Sequence, residues 1–289
     1  MQHSVFGSLC GDKTFVFESL AVMIQKEQTI YNNISDYLGL VNAPKTIITA
    51  DDRLAAVDWC YRIVDNHQLD HEIVESTMGL VDRFLSTSTE AARDSLFDRK
   101  KFMAVVAAAL CVAVKMSHGI SFCSKCFFPF CSAEDIGAME SSIVNKLSWQ
   151  LNPPTSTQIA HHILSLLWPC VDVSEPTWGR AILEDVKLQL KYAARDYYFT
   201  LKRPSTTALA AILNAVNRVD KQVRQAFVLD AFLLIAKADF DSLEDLLVVK
   251  NRLVASLLGS SAVNIHAGAF KDTEEAKPTC FKELEAPFC

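Results

Sequence analysis

Thirteen consecutive apolar residues, Phe102 to Val114, stand between Lys101 and Lys115. As a helix this run is about 20 Å long, short of the roughly 30 Å hydrocarbon core of a bilayer. A helix apolar on every side, yet too short to span a membrane, has to be surrounded by other elements of a protein core. The chain has the material for such a shell, since half of its 289 residues are hydrophobic. That fraction excludes a disordered or low-complexity protein. Glycine and proline number only nine each, which disfavours an all-β fold rich in tight turns.

Apolar residues recur at i, i+3 and i+4 along nearly the whole chain, and period-2 alternation is missing, so the expected fold class is all-α. Phe17, Leu20, Ile24, Ile34 and Leu38 predict an N-terminal helix over 14–38. Further helices are expected at 50–66, 70–86 and 99–116. Ser132 and Asp135 form a capping-box pattern that opens another, to about 148. Pro153-Pro154 ends that segment, and Ser156 is the expected cap of a helix to Trp168. A boundary is expected at Pro169–Pro176, followed by helices at 177–200, 204–217, 219–238 and 241–258. The layout is an N-terminal helical region (1–48), a first bundle (49–168), a second bundle (169–260) and a flexible tail (261–289). No repeat of 20–50 residues recurs, which disfavours a solenoid.

The residues argue against catalysis and against several ligand classes. The phosphate loops G-x-x-x-x-G-K-[ST] and G-x-G-x-x-G and the nucleophile elbow G-x-S-x-G are all missing. His71-Glu72 begins like a helical zinc motif, but position 75 is Glu. His161 and His162 are adjacent and cannot share a metal as an i, i+4 pair could. Glu184-Asp185 reads as a solvated helix face. No cofactor or metal is expected, and the net charge of −6 does not suit a nucleic-acid partner. No basic start precedes an apolar run at the N-terminus, and the nine cysteines are an odd number, most set in helical patterns. A reducing compartment, nucleus and cytoplasm, is expected rather than a disulfide framework. Cys123-x-x-Cys126-x4-Cys131, with His118 nearby, could offer a tetrahedral zinc set, but a second cysteine pair at fixed spacing is missing. Phe127, Phe128 and Phe130 between them read as packing residues.

Two charges stand in awkward places. Asp82-Arg83 interrupts the apolar run Leu80-Val81/Phe84-Leu85, so one of the two should point partly inward. Arg53, at the start of the preceding helix, offers the opposite charge for an Arg53–Asp82 pair. The same segment carries a family resemblance. Arg53…Val57-Asp58-Trp59, then Asp82-Arg83-Phe84-Leu85-Ser86, then AVVAAALCVAVKM ending at Lys115, then Met139-Glu140…LSWQLNPPT follow one another in the order of the cyclin box. Over roughly 51–168 the chain resembles the cyclins, with the Trp149 segment most like the D-type branch. KRPSTTALAAIL gives the second bundle a looser likeness to the C-terminal cyclin repeat.

The resemblance implies two consecutive cyclin-fold helical bundles and a non-catalytic, activating partner of a cyclin-dependent serine/threonine kinase in cell-cycle control. It carries over Lys115 and Glu140 as the residues that grip the kinase αC helix. Met116, Val144 and Trp149 are carried over as apolar positions of the same face. An adaptor in transcription without kinase activation, or a Cys/His metal-binding helical protein, are the alternative readings. The chain also departs from the family. Its substrate-groove positions read Asp52, Arg53, Leu54, Ala55 and Ala56, with Arg62 at an acidic position and Met103 at a glutamine position. Those changes should repel basic R-x-L segments. Ser117-His118 replaces an acidic pair, and Arg93-x-x-Leu96 mimics a destruction box between two helices of the bundle.

Overall fold

The computed structural model describes residues 13–39, 46–120, 132–167, 177–218 and 240–267, and every regular element among them is helical. In chain order these are α1 (Lys13–Thr29), α2 (Ala50–Asn66), α3 (Glu72–Leu85), α4 (Glu90–Phe97) and α5 (Arg99–His118). There follow α6 (Ala133–Lys146), α7 (Ser156–Leu167), α8 (Thr177–Arg195), α9 (Pro204–Val216) and α10 (Leu243–Ala267). A short 3₁₀ helix, Tyr197–Leu201, links α8 to α9. The expected helix at 219–238, the boundary at Pro169–Pro176 and the cluster Cys123, Cys126 and Cys131 lie outside the described residues.

α5 is the axis of the first bundle. Asp98 caps it, accepting hydrogen bonds from the backbone N–H groups of Lys100 and Lys101, and Gly119 ends it in the left-handed conformation (φ 65°). Every residue from Val105 to Val114 is buried between these ends. Each fully buried valine or leucine there contributes about 1.5–3 kcal/mol relative to an exposed one. α2, α3, α4 and α6 close around α5, and Tyr37, Ile48, Leu151 and Tyr197 complete this first core. Cys60 and Cys111 are buried members of it, and burial pushes the Cys60 thiol up to about 12. They act there as small hydrophobes.

A second core joins α7, α8, α9 and α10, and Leu20 and Ile24 of α1 are buried in it. The first described helix therefore packs on the second bundle. The two cores change over between Leu151 and Ile159, one helix before the boundary expected at 168. α7 belongs to the second core and not to the first bundle (49–168): its buried residues Ile159, Ile163 and Leu167 pack with α1, α8 and α9.

Several local expectations are corrected. α1 stops at Thr29 rather than 38, because the poor helix formers Asn32 and Asn33 follow, and residues 30–39 run as an irregular strap. α7 is capped by Thr155, whose Oγ1 accepts from the Gln158 N–H at 3.0 Å, and not by Ser156. α8 ends at Arg195 rather than 200, where Asp196 caps the 3₁₀ helix. Arg93 and Leu96 do not lie between helices: they sit on α4, whose cap Thr89 accepts from the Ala92 N–H. Leu96 is buried there, and its carbonyl receives the N–H groups of Ile47 and Ile48. Glu184 is exposed as expected, but Asp185 turns to Arg218 at 2.9 Å.

Candidate docking face

Two helix ends bring Lys115 and Glu140 together. Lys115 is in the last turn of α5, where the exposed carbonyls favour a cation. Glu140 is in the second turn of α6, a helix begun by the Ser132/Asp135 capping box expected from the sequence. Lys115 Nζ donates to Glu140 Oε2 at 2.6 Å, and the side chains are 41% and 20% exposed. An ammonium has three donors and a carboxylate two accepting oxygens, so the pair keeps hydrogen-bonding capacity directed outward.

Three apolar residues adjoin the two helix ends in sequence. Met116 is 55% exposed, Trp149 75% exposed, and Val144 half-buried. Glu140 and Val144 are one turn apart on α6, and the Val144 carbonyl accepts the Trp149 N–H at 3.0 Å. Of the five positions carried over by the resemblance, Lys115 and Glu140 meet directly, Met116 follows Lys115 on α5, Val144 lies one turn beyond Glu140 on α6, and Trp149 sits in the turn that ends α6. Met and Trp are residue types enriched at protein interfaces.

The backbone that presents Trp149 is unusual. α6 ends in a Schellman motif: the Ser148 N–H bonds to the Asn145 carbonyl and the Trp149 N–H to that of Val144. Glycine commonly takes the left-handed position of this motif, but here it is Ser148 (φ 51°), and Trp149 follows it at φ 63°. Each such residue with a Cβ costs about 1–2 kcal/mol. Leu147 and Leu151 are buried on either side and hold the turn against that strain.

A buried polar centre joins α2, α3 and α8. Arg53 meets Asp82 through Nε to Oδ1 at 3.0 Å and Nη2 to Oδ2 at 2.7 Å, with both side chains 4% exposed. Tyr37 donates its hydroxyl to Asp82 Oδ1 at 2.5 Å, and Arg53 Nη1 donates to the Ala194 carbonyl of α8 at 2.9 Å. Burial disfavours the Arg53 charge, but Asp82 and Tyr37 outweigh it and hold its pKa above the ordinary value. Both Asp82 and Arg83 point inward, whereas the sequence pattern asked this of only one. Arg83 and Ser148 carry no sequence signal for their part here. An arginine next to a paired aspartate looks like its partner, and a serine does not announce positive φ.

Among the described residues no three His, Cys, Asp or Glu side chains converge into a metal-holding group. His118 is the exposed last residue of α5, and His161 and His162 diverge on α7. At the positions that match the family's substrate groove, Arg53 is paired with Asp82, Ala55 and Arg62 are exposed, and Met103 packs on the first core.

Comparison with known proteins gives a consistent set of likenesses. Residues 18–152 match the family model described as "Cyclin, N-terminal domain". The chain is 26% identical over 173 residues to G2/mitotic-specific cyclin-B3 of Gallus gallus, covering 58% of this chain and 39% of that protein. It is 25% identical over 201 residues to G1/S-specific cyclin-D1 of Mus musculus, covering 68% of this chain and 63% of that one. The chain therefore spans well under half of the first relative and just under two thirds of the second. In three dimensions it is similar to a viral cyclin from herpesvirus saimiri, with TM-score 0.59 and 13% identity over 83% of this chain and 96% of that one. It is also similar to a chain of the CAK complex of Chaetomium thermophilum bound to ATP-gamma-S, with TM-score 0.50 and 16% identity over 90% and 81%. At these identities the structural likeness speaks for the fold, which includes the second bundle.

Proposed function

Because the chain belongs to the cyclin family, we propose that it is a regulatory, non-catalytic subunit of a cyclin-dependent serine/threonine kinase. It acts in cell-cycle control, in the nucleus and cytoplasm, and docks through Lys115, Met116, Glu140, Val144 and Trp149. The observation that carries this reading is the Lys115–Glu140 pair at 2.6 Å, which joins the ends of α5 and α6, together with the exposure of Met116 and Trp149 at those same helix ends. Mutual neutralisation lowers the cost of taking both charges out of water, while the remaining donors and acceptors stay available to a partner backbone.

The mechanism is allosteric. A rigid face that binds the active arrangement of the kinase αC helix better than the inactive one shifts the population toward the active state. In that arrangement the kinase Lys–Glu ion pair is assembled and the activation loop is released. The regulatory subunit contributes differential binding energy and no reacting group.

The test is reconstitution of purified full chain with a panel of purified cyclin-dependent kinases, measuring phosphorylation of a histone or retinoblastoma-tail substrate. At least one kinase is expected to gain activity with wild-type chain and to gain little with Trp149→Ala or Lys115→Ala. Equal activation by wild type and both variants would overturn the docking face. No binding or activation anywhere in the panel would overturn the function.

A further inference from the structure

Arg83 is fully buried, and no ion pair to it exists among the described residues. Its surroundings place it between two separate parts of the chain. On one side lies the strap that follows α1: Arg83 Nε donates to Asn33 Oδ1 at 3.2 Å, and the guanidinium carbon sits 4.7 Å from the centre of the Tyr31 ring. On the other side lies the turn that follows α6: Arg83 Nη1 donates to the Gln150 carbonyl at 2.6 Å. Nη2 is buried and makes no hydrogen bond. Burial works against the charge, and the facing Tyr31 works for it.

Gln150 is the residue next to Trp149. The chain leaving this turn runs back along α3, where the Pro153 ring lies 3.4 Å from the position of a side chain added at Gly79, one helical turn before Arg83. The left-handed pair Ser148 and Trp149 is thus followed by a carbonyl fixed on a buried guanidinium and a proline packed on the same helix. A guanidinium is suited to this task, because its planar fork can hold acceptors in two directions at once where a lysine ammonium cannot hold the same plane.

We propose that Arg83 is a positioning residue for Trp149, and that the strap residues Tyr31 and Asn33 set its orientation, so that a segment outside the docking face controls how that face presents its tryptophan. The proposal rests on the docking reading above for its consequence, but its geometry is independent of any kinase. Arg83 touches no partner; it acts through the Gln150 carbonyl. Asn33 is exposed at the surface, so the linkage can be altered without opening the core.

The experiment uses full-length chain labelled with 5-fluorotryptophan, with the Trp149 line among the four tryptophans assigned by Trp149→Phe. Asn33→Ala and Tyr31→Ala are expected to move or broaden the Trp149 fluorine line and leave the lines of Trp59, Trp168 and Trp178 in place. Asn33→Asp, which keeps the acceptor, is expected to restore it. Arg83→Gln is expected to move the line further, and the two strap variants keep the test decisive if that protein folds poorly. Kinase affinity is expected to fall roughly threefold to tenfold for Asn33→Ala. An unmoved Trp149 line in both strap variants would overturn the proposal. A moved line with unchanged kinase affinity would uphold the positioning and overturn the part of Trp149 in docking.

Discussion

Arg53 and Asp82 share two parallel hydrogen bonds inside the protein, and the same guanidinium reaches across to the Ala194 carbonyl of the second bundle. One ion pair therefore serves two purposes: it permits a carboxylate on the core face of α3, and it ties α2 and α3 to α8. Removing one partner leaves a charge with water excluded around it.

Arg53→Met or Asp82→Asn should each lower stability by about 3–5 kcal/mol. The double replacement Arg53→Met/Asp82→Leu should cost much less than the sum, because it leaves no buried charge unpaired. Urea unfolding monitored by circular dichroism checks this. Additive losses would mean that the two groups do not act as a pair.

The exposed Lys115–Glu140 pair should behave in the opposite way. Pairs this open contribute about 0–1 kcal/mol to folding, so Lys115→Ala and Glu140→Ala should leave the melting temperature nearly unchanged. Each should weaken kinase binding by about 2–4 kcal/mol, with a double loss smaller than the sum. Titration calorimetry against a purified kinase gives both numbers, and wild-type affinity in the double variant would contradict the assignment.

Glu75 gives the protein a pH dependence. It reaches from α3 to the start of α7, where its carboxylate accepts from the Thr157 N–H at 3.2 Å and from the Thr157 hydroxyl. Burial pushes its pKa up to about 7, which these hydrogen bonds only partly offset. An acid whose pKa is higher in the folded protein than in the unfolded chain holds its proton more tightly when folded. Stability should therefore fall as pH rises from about 4.5 to about 7, by on the order of 3 kcal/mol from this group. Glu27 and Glu72, also raised by burial, slope the same way. Glu75→Gln should flatten the profile and raise the melting temperature at pH 7.5. A steep, unchanged profile in that variant would remove Glu75 as its source.

Ser148→Gly should stabilise the chain by about 1 kcal/mol, since glycine takes positive φ without a Cβ clash. Gln68, at φ 53° in the Schellman motif that ends α2, is an internal comparison. Its Leu69 N–H bonds to the Val64 carbonyl as that of Trp149 does to Val144, and Gln68→Gly should gain a similar amount. Denaturant midpoints measure both, and a loss of stability at either site would show that its serine or glutamine makes contacts worth more than the strain.

These cases show which parts of the molecule could be read from residue order. α2, α3 and α5 stand within two residues of where periodicity puts them, because each carries an apolar face several turns long. The Ser132 cap also holds, since a capping box is a local device that involves only neighbours. α4 went unread because its eight residues give too few turns for a period to register. The Schellman endings went unread because Gln68 and Ser148 occupy a position that glycine usually marks. The strap went unread because Asn33, Ser35 and Tyr37 bond to α3 roughly fifty residues away, which no window of local sequence contains. An amphipathic α1 is visible in the pattern, but a pattern says that a face is buried and not which bundle buries it.

The attachment of α1 to the second core bears on how the chain is made. Lys13 of α1 donates to the Leu166 carbonyl, 153 residues further along, and Glu27 accepts from the Ser205 N–H at the start of α9. α1 is synthesised well before the helices that bury it, so its apolar face has no partner until α7 to α9 have emerged. The strap that follows α1 then runs to Tyr37, whose hydroxyl donates to Asp82. α1 is then a clasp closed only by later parts of the chain, and a chain stopped before α7 should leave it unlatched.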